Sequence, residues 1–184
     1  MKIIYLLLLS LLCGCQTSDL MHAEDQVPKR VKLVQEIRSQ VAYKLMREKG
    51  LIPCGSGGGA IDQIQMIALS FDYRKPLTIE EGRNLVLTAV HELIDAVNAD
   101  ERIRPYLASY PFGPERVEIR IFVQDAKGSS VPLSAVDVFS CCDGICKYKQ
   151  CDIVTKRLGI IFTETFAEAE QRSQEYALQM RVAQ

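Results

Sequence analysis

The residues of this 184-residue chain best able to do covalent or metal chemistry are its seven cysteines and two histidines. Four of the cysteines, Cys141, Cys142, Cys146 and Cys151, fall inside one short segment. Thiols at that density can hold zinc or an iron–sulfur cluster, exchange with disulfides, or pair with one another. The spacing is an adjacent pair followed by gaps of three and four residues, unlike the paired C-x-x-C of zinc ribbons. No C-x-x-C stands anywhere in the chain, so a thioredoxin-like exchange centre lacks its signature. Asp143-Gly144 is a two-residue hairpin turn by type. If it closes the hairpin, Cys142 faces Ile145 as the hydrogen-bonded pair and Cys141 faces Cys146 at the next position. There side chains come closest, which predicts a Cys141–Cys146 disulfide. Cys142 then points to the other face of the sheet and is left to Cys151 or Cys54.

Other catalytic patterns fall short. His91-Glu92 begins an H-E-x-x-H zinc motif, but the second histidine position is Asp95. Ser56 sits in a G-S-G, yet residue 54 is Cys where a G-x-S-x-G elbow needs glycine. A trio of Ser56, His91 and Asp95 would draw base and orienter from one helix four residues apart, a poor source of both. The run Cys54-Gly55-Ser56-Gly57-Gly58-Gly59 has no Lys-Ser or Lys-Thr after it and leads into a strand-like segment, so it reads as a helix-to-strand connection. No catalytic residue, metal site or cofactor is expected, and the reading leans away from an enzyme. The alternative is an envelope enzyme, or a thiol or metal handler, working through the Cys141–Cys151 cluster or His91.

The elements that must position these residues follow from periodicity. Val31, Val34, Ile37, Val41 and Leu45 recur at helical steps within 27–49, before Gly50 and Pro53. The polar side of that helix is basic, suited to anionic headgroups, to solvent, or to an acidic C-terminal helix. Ile61–Tyr73 reads as a strand. Thr78-Ile79-Glu80-Glu81 has capping-box spacing and opens a largely apolar helix to about Asn98. Arg102–Pro114 is a loop by its breakers; its Tyr106, Tyr110 and Phe112 form a candidate interaction patch or cover one edge of the core. Val117 to Val123 alternates as a half-buried strand, with further strands over about Leu133–Cys141 and within Cys146–Thr163. Thr165-Phe166-Ala167-Glu168 is a second capping box, opening a helix whose buried side is Phe166, Ala169, Ser173, Ala177 and Met180. The expected fold is α+β, a two-layer sandwich with a mixed four- to five-stranded sheet and about three helices, formed by residues 27–184 as one domain.

The N-terminus carries Lys2, an apolar run from Ile3 to Cys13, then Gly14 and Cys15. The run is about half the ~20 apolar residues needed to span a bilayer, so it is the h-region of a signal. Leu12-Cys13-Gly14-Cys15 resembles the lipid-attachment signal of bacterial lipoproteins. The resemblance implies removal of residues 1–14, a diacylglycerol on the Cys15 thiol and a further acyl chain such as palmitate on its amine. Residues 15–26 would then be a lipidated tether. Gln16 stands where the family often has an aspartate that retains the protein at the inner membrane, which implies the outer membrane, facing the periplasm. Export also places Cys54, Cys141, Cys142, Cys146 and Cys151 where disulfides persist.

Twenty-two basic and 23 acidic residues, a formal charge of -1, leave no field that would select nucleic acid. The expected partners are the lipid bilayer, through acylated Cys15, and an envelope protein. The expected role is a non-catalytic binding or assembly module anchored in the cell envelope.

Overall fold

The computed structural model describes residues 27–128, 136–152 and 154–182. The signal 1–14, Cys15 with its tether 15–26, and Leu133 at the expected start of the second hairpin strand lie outside the described residues. The chain runs α1 (Lys29–Lys49), β1 (Ile52–Gly59), β2 (Met66–Tyr73), α2 (Ile79–Ala99), β3 (Val117–Val123), β4 (Val138–Cys142), β5 (Ile145–Cys151), β6 (Leu158–Thr165) and α3 (Phe166–Val182).

All six strands form one sheet in chain order, with β1 and β6 at its edges. β2 and β3 are parallel, joined through α2; every other neighbouring pair is antiparallel. The α+β class and mixed sheet are as expected, but the count of four to five strands is corrected to six. One extra strand comes from the glycine run, which pairs with β2 along Gly55↔Ser70 to Gly59↔Met66 where the composition predicts a connection. Glycines have no side chains and so no apolar alternation from which a strand can be read. The other comes from Cys146–Thr163, which holds two strands and a turn, β5 and β6.

The three helices cover one face of the sheet. α1 lies over β1 and β2, α2 over β3 and β4, and α3 over β5 and β6, with α2 between the other two. Leu33, Ile37 and Leu45 of α1 and Val86, Val90 and Leu93 of α2 are buried against Ile67, Leu69 and Phe71 of β2 and Ile119 and Ile121 of β3. At ~25 cal/mol per Å² of apolar surface, burial of this kind supplies the driving force of the fold. α2 starts as its sequence predicts: the Thr78 hydroxyl accepts from the Glu81 amide at 3.2 Å, and the Glu81 carboxylate accepts from the Thr78 amide at 2.9 Å. Gly82 lets α2 close on the sheet, since a Cβ there would fall 2.1 Å from the Phe139 ring. Gly58, at φ 144, is required on backbone grounds, because a Cβ would meet the Met66 carbonyl at 2.3 Å.

α3 differs from expectation in its far half. Phe166 and Ala169 are its buried residues, while Ala177 and Met180, expected inside, are exposed. Ser173 donates to Asn84 of α2, and no residue of the helix beyond it is buried.

Candidate functional site

The densest group of reactive and ionisable side chains lies under α2 and α3. The hairpin register is Cys142↔Ile145 and Cys141↔Cys146, as read from Asp143-Gly144. Both turn residues have positive φ, 52° and 71°, the pattern of a type I′ turn. On the next strand Cys146 faces Glu164. The three residues therefore form one row across β4, β5 and β6 on the helix-covered face, and all three are buried.

Glu164 is the hub. Arg83 of α2 donates Nε to Glu164 Oε1 at 2.7 Å, and the Tyr148 hydroxyl donates to the same oxygen. Arg172 of α3 brings its Nε within 3.3 Å of Oε2, an ion-pair contact without hydrogen-bond alignment. Both the Arg83 and Glu164 side chains are almost fully withdrawn from water, whereas Arg172 is half exposed. Burial opposes the charge on Arg83, and Glu164 and Tyr148 raise its pKa in compensation. Burial first and the Glu164 carboxylate second push the Tyr148 hydroxyl above the ordinary phenol range.

The cysteines of the row are both thiols here, as are Cys54, Cys142 and Cys151. Hydrogen bonding with Cys141, then burial, then Glu164 push the Cys146 thiol well above its ordinary range. A thiol so held is a poor nucleophile, since the thiolate is the reactive form. Its position opposite Cys141 suits direct coupling, the one covalent chemistry the geometry favours.

The remaining cysteines are scattered. Cys142 points to the open face of the sheet, beside Glu118 and Asp143; burial and then these carboxylates raise its pKa. Cys151 lies at the other end of β5, about 20 Å along the strand at ~3.3 Å per residue. Cys54 is on β1, three strands from β4, or about 14 Å at ~4.8 Å per strand. Neither is within the ~7 Å Cα separation that a disulfide with Cys142 needs, so the expected second pairing is not assembled. Partial burial, followed by the neighbouring Asp72, pushes the Cys54 thiol up to about 11. Among the described residues no three His, Cys, Asp or Glu side chains converge in a way that could hold a metal ion.

His91 turns toward α3, its Nε2 3.0 Å from Glu170 Oε1 and its ring edge-on to Phe166. Asp95, one turn further along the same exposed side of α2, borders a cleft with Lys44 and Glu92 in the α1–α2 groove. Ser56 borders a separate cleft of about 350 Å³ between α1 and β1, with Gln35, Arg38 and Ser39. Ser56, His91 and Asp95 therefore do not meet.

The aromatic loop divides in the same way. Phe112 is in the core, its backbone clasped by Asn98, whose Oδ1 accepts from the Phe112 amide at 2.8 Å and whose Nδ2 donates to its carbonyl at 3.0 Å. Tyr106 packs on the core edge, and only Tyr110 stands out, under Arg104. Of the two readings of this loop, cover of the core edge describes Phe112 and Tyr106, with Asn98 holding Phe112 inward, and Tyr110 alone of the three is exposed. The basic side of α1 does not face the acidic C-terminal helix, since α2 stands between them. Two of its arginines turn to β1 and the turn after it instead: Arg38 donates to the Gly57 carbonyl at 2.9 Å, and Arg30 donates to those of Ala60 and Ile61.

Sequence reasoning missed Glu164, Arg83 and Asn98. A faint signal existed for Glu164, a carboxylate two residues after the half-buried Phe162 on the same face of a strand. Comparison of the chain with protein families, curated proteins and solved structures finds no match.

Proposed function

We propose that this chain is a lipid-anchored lipoprotein of the bacterial cell envelope, held through acylated Cys15 at the outer membrane and facing the periplasm. There its α+β domain serves as a binding or assembly module for another envelope protein. The motif Leu12-Cys13-Gly14-Cys15 supports the anchor, and two or more acyl chains on one residue give stable attachment where a single chain does not.

The observation that carries the module reading is where the chain joins the fold. Residue 27 leads into the first turn of α1, beside Ala60 and Ile61 at the β1 edge. The turn between β5 and β6 lies at the opposite edge and, by strand register, at the opposite end of the sheet. A domain held by one corner presents the far edge to its surroundings. The reactive groups support the same reading, since the thiols of the row and His91 are engaged by structural partners.

The test is replacement of Cys15 by Ser in the full chain, expressed in its bacterial envelope. The wild type is expected in the detergent phase of a phase partition and in the membrane pellet. The variant is expected in the aqueous phase. Equal partitioning of the two proteins would refute the anchor.

A further inference from the structure

The two edges of the sheet are built differently. β1 has no large apolar side chain exposed, and arginines of α1 take carbonyls along it and the turn after it. β6 exposes Leu158, Ile160 and Ile161, at 53%, 56% and 47% of their surface. Folded proteins normally blunt an edge strand with charge, proline or a covering loop, because its unpaired backbone invites another strand. Here the blunting is on β1, and an apolar edge is left on β6.

The backbone of β6 is oriented for pairing. The turn at Asp143-Gly144 makes Cys142↔Ile145 a hydrogen-bonded pair, so Cys146 directs its N–H and C=O toward Glu164. Alternation then aims the backbone of Thr163 and Thr165 away from β5. The Thr165 amide confirms the direction, since it is taken by the Glu168 carboxylate of α3 at 2.7 Å. Thr163 offers both its groups at the free edge.

Charge selects the occupant. Lys147 and Lys149 of β5 lie on the open face, one strand in from the edge, and Arg157 stands at the start of β6. None of these three has an ion-pair partner among the described residues. The nearby carboxylates are engaged: Glu164 with Arg83, Glu168 with Thr165, and Asp152 with the amides of Val154 and Thr155. A second copy of this chain would bring like charge to like charge. We propose that the β6 edge takes an extended segment of an envelope protein as a seventh strand, one that carries both branched apolar side chains and carboxylates. Backbone hydrogen bonds would supply affinity, and the apolar and basic neighbours would supply selectivity.

This deepens the binding-module reading and rests on it for the existence of a partner. Its test uses the purified full chain in neutral detergent and the probe peptide acetyl-Val-Glu-Val-Glu-Val-Glu-Val-amide, with the Val-Lys counterpart as control. Binding is read by anisotropy of a labelled peptide and by hydrogen exchange of the β6 amides. The glutamate peptide is expected to protect the outward amide of Thr163 and to bind about tenfold more tightly than the lysine peptide, a margin that shrinks with added salt. Thr163→Pro removes the outward N–H without touching the β5 ladder and should weaken binding about tenfold, while Thr163→Val should not. Should the proline variant misfold, Ile160→Asp, which repels the same probe, is expected to weaken it to a similar degree. Three outcomes would overturn the proposal: no protection of β6 by the glutamate peptide, equal affinity for the two peptides, or β6 amides already protected in a dimer of the chain alone. A failed peptide test leaves the detergent partition of Cys15→Ser unaffected, so the two readings fail separately.

Discussion

Replacement of Glu164 by Gln perturbs the centre of the buried row while nearly preserving its shape. The carboxylate accepts from Arg83 and Tyr148 on one oxygen and faces Arg172 on the other. Without its charge, Arg83 remains at 5% side-chain exposure with Glu80, 3.9 Å away and itself 44% exposed, as its nearest carboxylate. Breaking a buried pair by removing one partner typically costs ~3–5 kcal/mol, because the remaining ion is neither solvated nor paired. A domain of this size has ~5–15 kcal/mol of stability in total, so the variant should lose at least about a fifth of it. Arg172 is half exposed, and Arg172→Ala should cost no more than ~1 kcal/mol by the measure of solvent-screened pairs. The double variant Arg83→Met with Glu164→Leu removes both ions and should recover most of the loss, within ~1–2 kcal/mol of wild type. Equilibrium urea unfolding followed by circular dichroism measures all four proteins. A Glu164→Gln variant within ~1 kcal/mol of wild type, or a double variant as unstable as Glu164→Gln, would refute a buried, mutually dependent pair.

Protein taken from an oxidising compartment should carry Cys141 linked to Cys146 in non-reducing peptide mapping; free thiols at both positions would contradict the pairing. Reduced protein should lose stability as pH rises from about 9 to about 11. The folded state holds the Cys54 thiol up to about 11, against 9.0 for the ordinary group, so this contribution is complete below the unfolded pKa and lost through the folded one. Cys54→Ala should flatten that part of a chemical-unfolding profile against pH. Thr165→Ala removes the cap on α3 and should cost ~0.5–2 kcal/mol. Since Phe166 and Ala169 are the buried residues of α3, the loss should appear in hydrogen exchange as fraying of this helix before the sheet.

The parts of the fold that were legible are those in which a local rule had no competitor. Thr78 and Glu81 could be read as a cap because the cap is a contact between near neighbours, and the structure places the same two bonds. Asp143-Gly144 set the register of Cys141 and Cys146 because a two-residue turn leaves the strands no freedom to slip. β1 was not legible, since its glycines neither alternate nor favour a strand; pairing with β2 and cover from α1 override that propensity. Phe112 was ambiguous between patch and core because the residue that draws it inward, Asn98, lies on a different element. Glu164 shows the limit most plainly. Between Thr163 and Thr165 it resembles the polar end of a strand, and its burial follows from a partner 81 residues away. The open β6 edge was invisible for a similar reason, because edge position is a property of the whole sheet.

The most direct test of the account is the intact mass and N-terminal peptide of the protein isolated from a bacterial envelope. The account predicts a chain beginning at Cys15, with the mass of a diacylglycerol on its sulfur and of a further acyl chain on its amine. A mature chain beginning at any other residue, or one carrying Cys15 unmodified, would contradict it.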